Sequence, residues 1–93
     1  MKTANRPWFV YLLRCNDNSL YAGVTTDIKR RIDEHNTSPL GAKYTRARRP
    51  VTLVYLENAT NRSSAGKQEY QLRKLPKYKK EQKAAQYLQK SDN

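Results

Sequence analysis

The longest apolar run of the chain, Trp8–Leu13, is the feature around which its fold has to be built. Six consecutive aromatic and aliphatic residues are typical of a buried strand, and they are far fewer than the ~20 that span a bilayer. The polar cluster Asn16–Ser19 and the apolar segment Leu20–Val24 follow, so the pattern predicts a β-hairpin. With 93 residues the chain has room for only one core, and this hairpin is expected to form its centre.

Helical signals come next along the chain. Thr25–Asp27 supplies an N-cap and a first-turn acid, and Ile28 and Ile32 form a one-sided apolar stripe, which predicts a helix to about Asn36. Pro39–Arg49 is a short basic connection that we expect to be partly helical.

Three further elements complete the predicted order. Val51–Leu56 has the pattern of a half-buried third strand. Asn61 is a plausible cap for a helix ending at Pro76, and a Lys-rich helix begins at Pro76 or Lys77 and ends at about Leu88. The sequence therefore predicts one α+β domain over 1–93, with a core at about 8–88 and frayed termini. Its sheet is three-stranded, mainly antiparallel and flanked by helices, in the order ββααβαα.

Charge and composition narrow the function. The formal net charge is +11, and residues 41–93 carry thirteen Lys and Arg against four acids. Such an excess favours nucleic acid as the partner, with an anionic membrane second. A membrane partner is disfavoured because the last helix offers only Tyr78, Tyr87 and Leu88 as large apolar anchors. Since Cys15 is the only cysteine and no signal peptide is apparent, we expect a soluble cytoplasmic protein without an intrachain disulfide or a Cys-based zinc site.

Several side chains have unusual positions, and each has a structural as well as a functional interpretation. Glu69 shares an arc of its helix with Ala65 and Leu72, so it is paired, protonated or bound to a metal. Its structural interpretation is a rim carboxylate paired with an Arg of the other helix. Arg31 and His35 share a helix face, which is more often simply solvated. On the paired strands of the hairpin, Tyr11 and Tyr21 are either site residues or ordinary core tyrosines.

Taken together, these residues resemble the GIY-YIG signature. Val10-Tyr11 is followed ten residues later by Tyr21-Ala22-Gly23, and Arg31 and His35 then fall where the family has its arginine and a frequent histidine. Phe9 and Ala22 differ from the signature letters, but neither change touches a reactive side chain. The likeness is closest to the small stand-alone bacterial members and covers roughly Phe9 to Leu88.

The resemblance implies a metal-dependent endonuclease that hydrolyses phosphodiester bonds in DNA. The catalytic set it implies is Tyr11, Tyr21, Arg31, His35 and Glu69. In that set Glu69 binds one divalent cation, Mg²⁺ or Mn²⁺, and Arg31 contacts phosphoryl oxygens. Tyr11 is the first candidate for the general base, and Tyr21 positions the water or shares that role. His35 holds a tyrosine or a phosphate, or accepts a proton itself.

The basic segments predict a binding surface that tolerates any sequence. The candidate contacts are Lys43, Tyr44, Arg46, Arg48, Arg49, Arg73, Lys74, Lys77, Lys79, Lys80 and Lys83. The alternative for the later lysines is an ordinary solvated helix face. DNA is the expected partner, whether branched, damaged or single-stranded, and RNA is left open. The alternative function is a non-catalytic nucleic-acid-binding module of the same fold.

Overall fold

The computed structural model describes residues 7–91, and it has the predicted α+β order. The elements are β1 (Trp8–Arg14), β2 (Leu20–Thr25), α1 (Ile28–Thr37), α2 (Lys43–Arg46), β3 (Thr52–Ala59), α3 (Arg62–Lys74) and α4 (Lys77–Ser91). Residues 1–6 and 92–93, part of the termini predicted to be frayed, lie outside the described range. The order ββααβαα is therefore confirmed. Among the described residues, no helix is long and apolar enough to cross a membrane.

The apolar run that opens the chain becomes the central strand. The sheet order is β2-β1-β3, and β1 is antiparallel to both neighbours. The register with β3 shifts between Leu12, which faces Tyr55, and Leu13, which faces Leu53. Val54 is thus an extra residue on β3, and its side chain is buried.

Alternation along β1 gives the sheet two buried faces. Val10 and Leu12 pack on one face in a cluster that includes Ala65 and Leu72 of α3 and Ala84 of α4. The opposite face carries a second cluster, against which α1 packs, made of Tyr11, Leu13, Cys15, Val51, Ile28 and Ile32. A sheet covered on both sides explains why the strand needs a continuous apolar run rather than a polar alternation.

Side-chain caps define where two of the helices begin. Asp27 accepts a hydrogen bond from the Arg30 backbone N–H at 3.0 Å, and Asn61 accepts one from Ser64 at 2.8 Å. Each cap satisfies a donor that the first helical turn leaves unpaired. The predicted cap at Asn61 is confirmed. In Thr25–Asp27 the cap is Asp27 itself, so the predicted first-turn acid is wrong, because the first turn of α1 contains none.

Candidate active site

Pairing of β1 with β2 places the two tyrosines of the motif on the same face of the sheet. Tyr11 lies opposite Gly23, and Tyr21 lies opposite Leu13. A Cβ atom at position 23 would be 2.4 Å from the Tyr11 Oη and 2.5 Å from its Cζ. Glycine is therefore required because the Tyr11 ring lies across β2, which carries the hydroxyl towards α1.

The Tyr11 hydroxyl is the first group of a buried chain of hydrogen bonds. Its Oη is 2.9 Å from Nε2 of His35, and Nδ1 of the same imidazole is 2.7 Å from Oγ1 of Thr45. Thr45 in turn donates to the carbonyl oxygen of Ala42 at 2.9 Å. His35 and Thr45 have no exposed surface. The chain thus joins β1, α1 and α2 through side chains alone.

Burial sets the charge state of this chain. It lowers the pKa of His35 to about 4, and the nearby Arg31 guanidinium contributes to this fall. Burial raises the pKa of Tyr11 to about 12, although Arg31 opposes this rise. At neutral pH the imidazole is therefore neutral and Tyr11 holds its proton.

Tyr21 is supported by aromatic and charged neighbours at the edge of the sheet. Its ring lies 5.3 Å from the His35 ring and stacks on Tyr44 at 5.9 Å, with 24° between the planes. The Arg48 guanidinium lies 3.8 Å from the centre of the Tyr44 ring and pairs with Asp17 at 2.9 Å. Tyr44 and Arg48, which were predicted to contact nucleic acid, thus also form part of the wall around Tyr21.

Arg31 is held at the mouth of the site. Its Nη1 donates to Glu34 at 2.7 Å and to the carbonyl oxygen of Leu40 at 2.9 Å. About a quarter of the side chain, 23%, remains exposed. Asp27, four residues before Arg31, caps the helix with its carboxylate instead of pairing with this guanidinium.

Glu69 approaches the site from a different helix and a different side. α3 packs on the Val10 face of the sheet, whereas α1 packs on the Tyr11 face. The Glu69 side chain is 18% exposed, and its carboxylate pairs with Arg73 of the same helix at 3.4 Å. The charges of Arg31, Glu69 and Arg73 all act on the pKa of Tyr21, which burial raises. Tyr21, on the edge strand, is therefore a residue on which charges from both α1 and α3 act.

The structure brings four predicted residues into direct proximity and adds one that was missed. Tyr11, Tyr21, Arg31 and His35 cluster on one face, and Glu69 reaches the same edge from the other. Thr45 was missed because it lies ten residues from His35 inside a basic segment. Its contact with His35 exists only because the connection folds back against α1. No group of three or more His, Cys, Asp and Glu capable of holding a metal occurs within residues 7–91.

The predicted basic contacts fall into two groups around the β1–β2 turn. Lys43 and Arg46 are exposed on α2. Arg49 instead turns inward, where its guanidinium donates to the carbonyl oxygens of His35, Glu34 and Ser38.

The second group lies on α3 and α4. Lys77 donates to the carbonyl oxygen of Asn18 in the turn at 2.8 Å. Arg73 and Lys74 lie over the exposed Tyr70 ring, and Lys83 lies 5.5 Å from the centre of the Tyr55 ring. Lys79 is exposed and Lys80 is half-buried. Asp17 of the same turn pairs with Arg48, so the turn contacts one member of each basic group.

Comparison with known proteins identifies the domain. The GIY-YIG catalytic domain matches residues 7–84. The chain belongs to the GIY-YIG family. This assignment confirms the resemblance seen in the sequence and makes the domain one of nuclease type.

The similar proteins are small members of this family. A UPF0213 protein of Desulfotalea psychrophila is 57% identical over 76% of this chain, and the match spans 66% of that protein, just under two thirds. A UPF0213 protein of Bacillus velezensis is 51% identical over 80% of this chain and 74% of its own length. The solution NMR structure of a UPF0213 protein from Bacillus halodurans has a TM-score of 0.51 and 45% identity, and it covers 82% of this chain and 80% of that one. The name UPF0213 specifies no activity.

Proposed function

We propose that this GIY-YIG domain is a metal-dependent endonuclease that hydrolyses phosphodiester bonds in DNA and binds the backbone of any sequence. The observation that carries the proposal is the hydrogen bond between Tyr11 and a neutral, buried His35, with the Arg31 guanidinium beside it. A buried tyrosine next to a proton acceptor and a fixed cation has the parts that activation of water at a phosphate requires.

Tyr11 acts as the base through His35. As Tyr11 Oη takes a proton from the attacking water, its own proton passes to Nε2 of His35, which becomes an imidazolium. The resulting hydroxide attacks phosphorus, the bond to the 3′ oxygen breaks, and that oxygen takes a proton from solvent. The high pKa of Tyr11 makes free phenolate scarce, so Tyr11 must pass its own proton to His35 at the same time as it takes one from the water.

Arg31 neutralises charge on the phosphoryl oxygens. Its guanidinium is planar and can present two N–H groups to one phosphate, a geometry that a lysine ammonium does not copy. The contacts to Glu34 and to the Leu40 carbonyl hold the group in place before substrate arrives. A charge stabiliser positioned in advance needs no reorganisation during the reaction.

Glu69 is the residue that would hold a divalent cation. A single carboxylate at the rim suits Mg²⁺ or Mn²⁺, because a hard cation of this kind keeps most of its waters and takes phosphate oxygens as further ligands. When bound, such a cation would supply positive charge for the phosphate and the leaving oxygen. The present partner of Glu69 is the guanidinium of Arg73 at 3.4 Å, and the Arg73 side chain is largely exposed.

A second candidate function is a nucleic-acid-binding module without hydrolysis. It is favoured by one observation, namely that Glu69 lies on the helix that packs against the opposite face of the sheet and is paired with Arg73. In that case the basic surface binds the nucleic-acid backbone, and the hydrogen bonds from Tyr11 to His35 and Thr45 are purely structural.

Cleavage assays separate the two functions. Supercoiled, single-stranded and branched DNA are incubated with Mg²⁺, Mn²⁺ or chelator, using wild type, Glu69→Gln and Tyr11→Phe. We expect cleavage that needs metal, and a decrease in rate of about 10²–10³-fold in each variant with little change in DNA affinity.

Matched controls are Asp33→Asn and Tyr70→Phe, which alter an exposed carboxylate and an exposed phenol. Both should cleave at the wild-type rate. Binding without cleavage under every metal condition would support the module, and wild-type cleavage by Tyr11→Phe would overturn the mechanism.

A further inference from the structure

The hydroxyl of Thr45 has one proton and two polar neighbours. Its Oγ1 lies 2.9 Å from the Ala42 carbonyl oxygen and 2.7 Å from Nδ1 of His35. A carbonyl oxygen can only accept, so the single Thr45 proton must go there for the carbonyl contact to be a hydrogen bond. The same oxygen then has lone pairs left, and it accepts from Nδ1.

The opposite end of the imidazole leads to the same assignment. Arg31, which influences the pKa of Tyr11, has only donors to offer to the Tyr11 oxygen. If Nε2 carried the imidazole proton, it too would point at that oxygen, which would leave the Tyr11 proton without His35 as its acceptor. With Nδ1 protonated, Nε2 accepts from Tyr11, and every group in the buried chain has a partner.

We propose that Thr45 is a positioning residue that fixes His35 as the Nδ1–H tautomer, so that Nε2 is free to receive the Tyr11 proton. This inference deepens the proposed endonuclease function and rests on it for its catalytic meaning. The tautomer of a histidine is set by the hydrogen bond of its other nitrogen, and here that partner is a fully buried hydroxyl. The hydrogen bonds then run from the Tyr11 hydroxyl to Nε2 of His35, from Nδ1–H of His35 to Thr45, and from Thr45 to the Ala42 carbonyl oxygen.

The other groups packed around His35 act on it through ring packing or charge, and not through hydrogen bonds to its ring nitrogens. The rings of Tyr11 and Tyr21 pack edge-on against the imidazole from the sheet. Arg31 and Arg49 lower the pKa of His35, and Glu34 raises it, so these three act through charge. Among the described residues, only Tyr11 and Thr45 form hydrogen bonds with the ring nitrogens.

Thr45→Val keeps the size and branching of the side chain and removes the acceptor. Nδ1–H would then be buried without a partner, which costs enough to favour the other tautomer. In that tautomer Nε2–H points at Tyr11 and blocks the proton transfer. Thr45→Ser keeps the hydroxyl and should retain the wild-type arrangement.

The tautomer can be measured directly because the chain has one histidine. Long-range ¹H–¹⁵N NMR of the uniformly labelled protein at pH 7 gives one pair of imidazole nitrogens. We expect a protonated Nδ1 and an unprotonated Nε2 in wild type, Thr45→Ser and the exposed-site control Thr52→Val, and a shift towards Nε2–H in Thr45→Val. A wild-type spectrum with Nε2 protonated would overturn the proposal whether or not the protein cleaves DNA.

Single-turnover cleavage then tests the catalytic meaning. Thr45→Val should be slower by about 10–100-fold at unchanged DNA affinity, with Thr45→Ser close to wild type. An altered tautomer with undiminished cleavage would refute the role of Thr45 in catalysis. If no variant and no wild type cleaves, the proposed function fails, while the tautomer assignment is still decided by the spectra. Should Thr45→Val not fold, the wild-type and Thr45→Ser spectra decide it.

Discussion

At the scale of single residues, His35 is a polar side chain held entirely inside the protein. It has no exposed surface, and both of its ring nitrogens are hydrogen bonded. A histidine kept neutral in this way has one unprotonated ring nitrogen that can accept a proton, and it makes folding sensitive to pH. The pKa is about 4 in the folded state, against about 6.5 for an unperturbed histidine.

The free energy of unfolding should therefore fall on acidification through this window. Between pH 6.5 and 4 the unfolded chain binds a proton at His35 that the folded chain does not, so the free energy of unfolding decreases as the pH drops from 7. The full decrease is on the order of 3 kcal/mol. Urea unfolding at several pH values between about 5 and 7 measures the upper part of it.

His35→Gln is the control for this prediction. The variant should be less stable at pH 7, yet its stability should be nearly flat between about pH 5 and 7, because carboxyl groups titrate mainly below that range. A variant with the same pH dependence as wild type would show that His35 is not the group responsible.

At the scale of secondary-structure elements, two glycines illustrate different demands. Gly23 lies in β2 under the Tyr11 ring, where an added Cβ would be 2.4 Å from the hydroxyl oxygen. Gly66 lies within α3, where an added Cβ would meet nothing within 4 Å. The strand needs its glycine for a close approach, whereas the helix would be better formed without one.

The same substitution should thus have opposite effects in the two elements. Gly23→Ala is expected to destabilise the protein by about 1–3 kcal/mol, because the rigid ring must shift away from His35. Gly66→Ala should stabilise it by about 0.5–1 kcal/mol, since alanine favours the helix. Thermal and urea unfolding of both variants would check this, and shifts of the same sign would contradict it.

At the scale of the whole molecule, the positive charge divides into groups with different surroundings. Arg46 is exposed on α2, two residues after Tyr44. Arg49, three residues later, directs its guanidinium at backbone carbonyls of α1 and of the loop that follows. Arg46 and Arg49 carry the same charge in one short segment, but we expect Arg46 to contact DNA and Arg49 to stabilise the fold.

Salt dependence of DNA binding distinguishes them. Arg46→Ala, like Lys80→Ala on α4, should weaken binding to all sequences alike. Each should also reduce the slope of log affinity against log salt concentration by about one for every DNA phosphate contact that the variant loses. Arg49→Ala should instead lower the melting temperature and leave that slope unchanged. A wild-type slope in Arg46→Ala would identify Arg46 as solvated surface.

Local patterns were enough to predict the elements and the motif. Asn61 is confirmed as a cap, and the cap predicted within Thr25–Asp27 is Asp27, because a cap depends on residues within one turn. The hairpin follows from two apolar runs around a polar cluster, and the family signature follows from the spacing of Tyr11, Tyr21 and Arg31. Each of these inferences uses residue types and their spacing along the sequence, without knowledge of which segments contact each other.

Only the tertiary structure decided what those residues contact. Nothing in the spacing of Thr45 marks it as the partner of His35, and the charge of Arg49 does not reveal that its guanidinium points inward. The position of Glu69 across the sheet edge from Arg31 likewise depends on which face each helix covers. These contacts join segments far apart in the chain, and their geometry arises when burial of the two apolar faces packs the helices against opposite sides of one sheet.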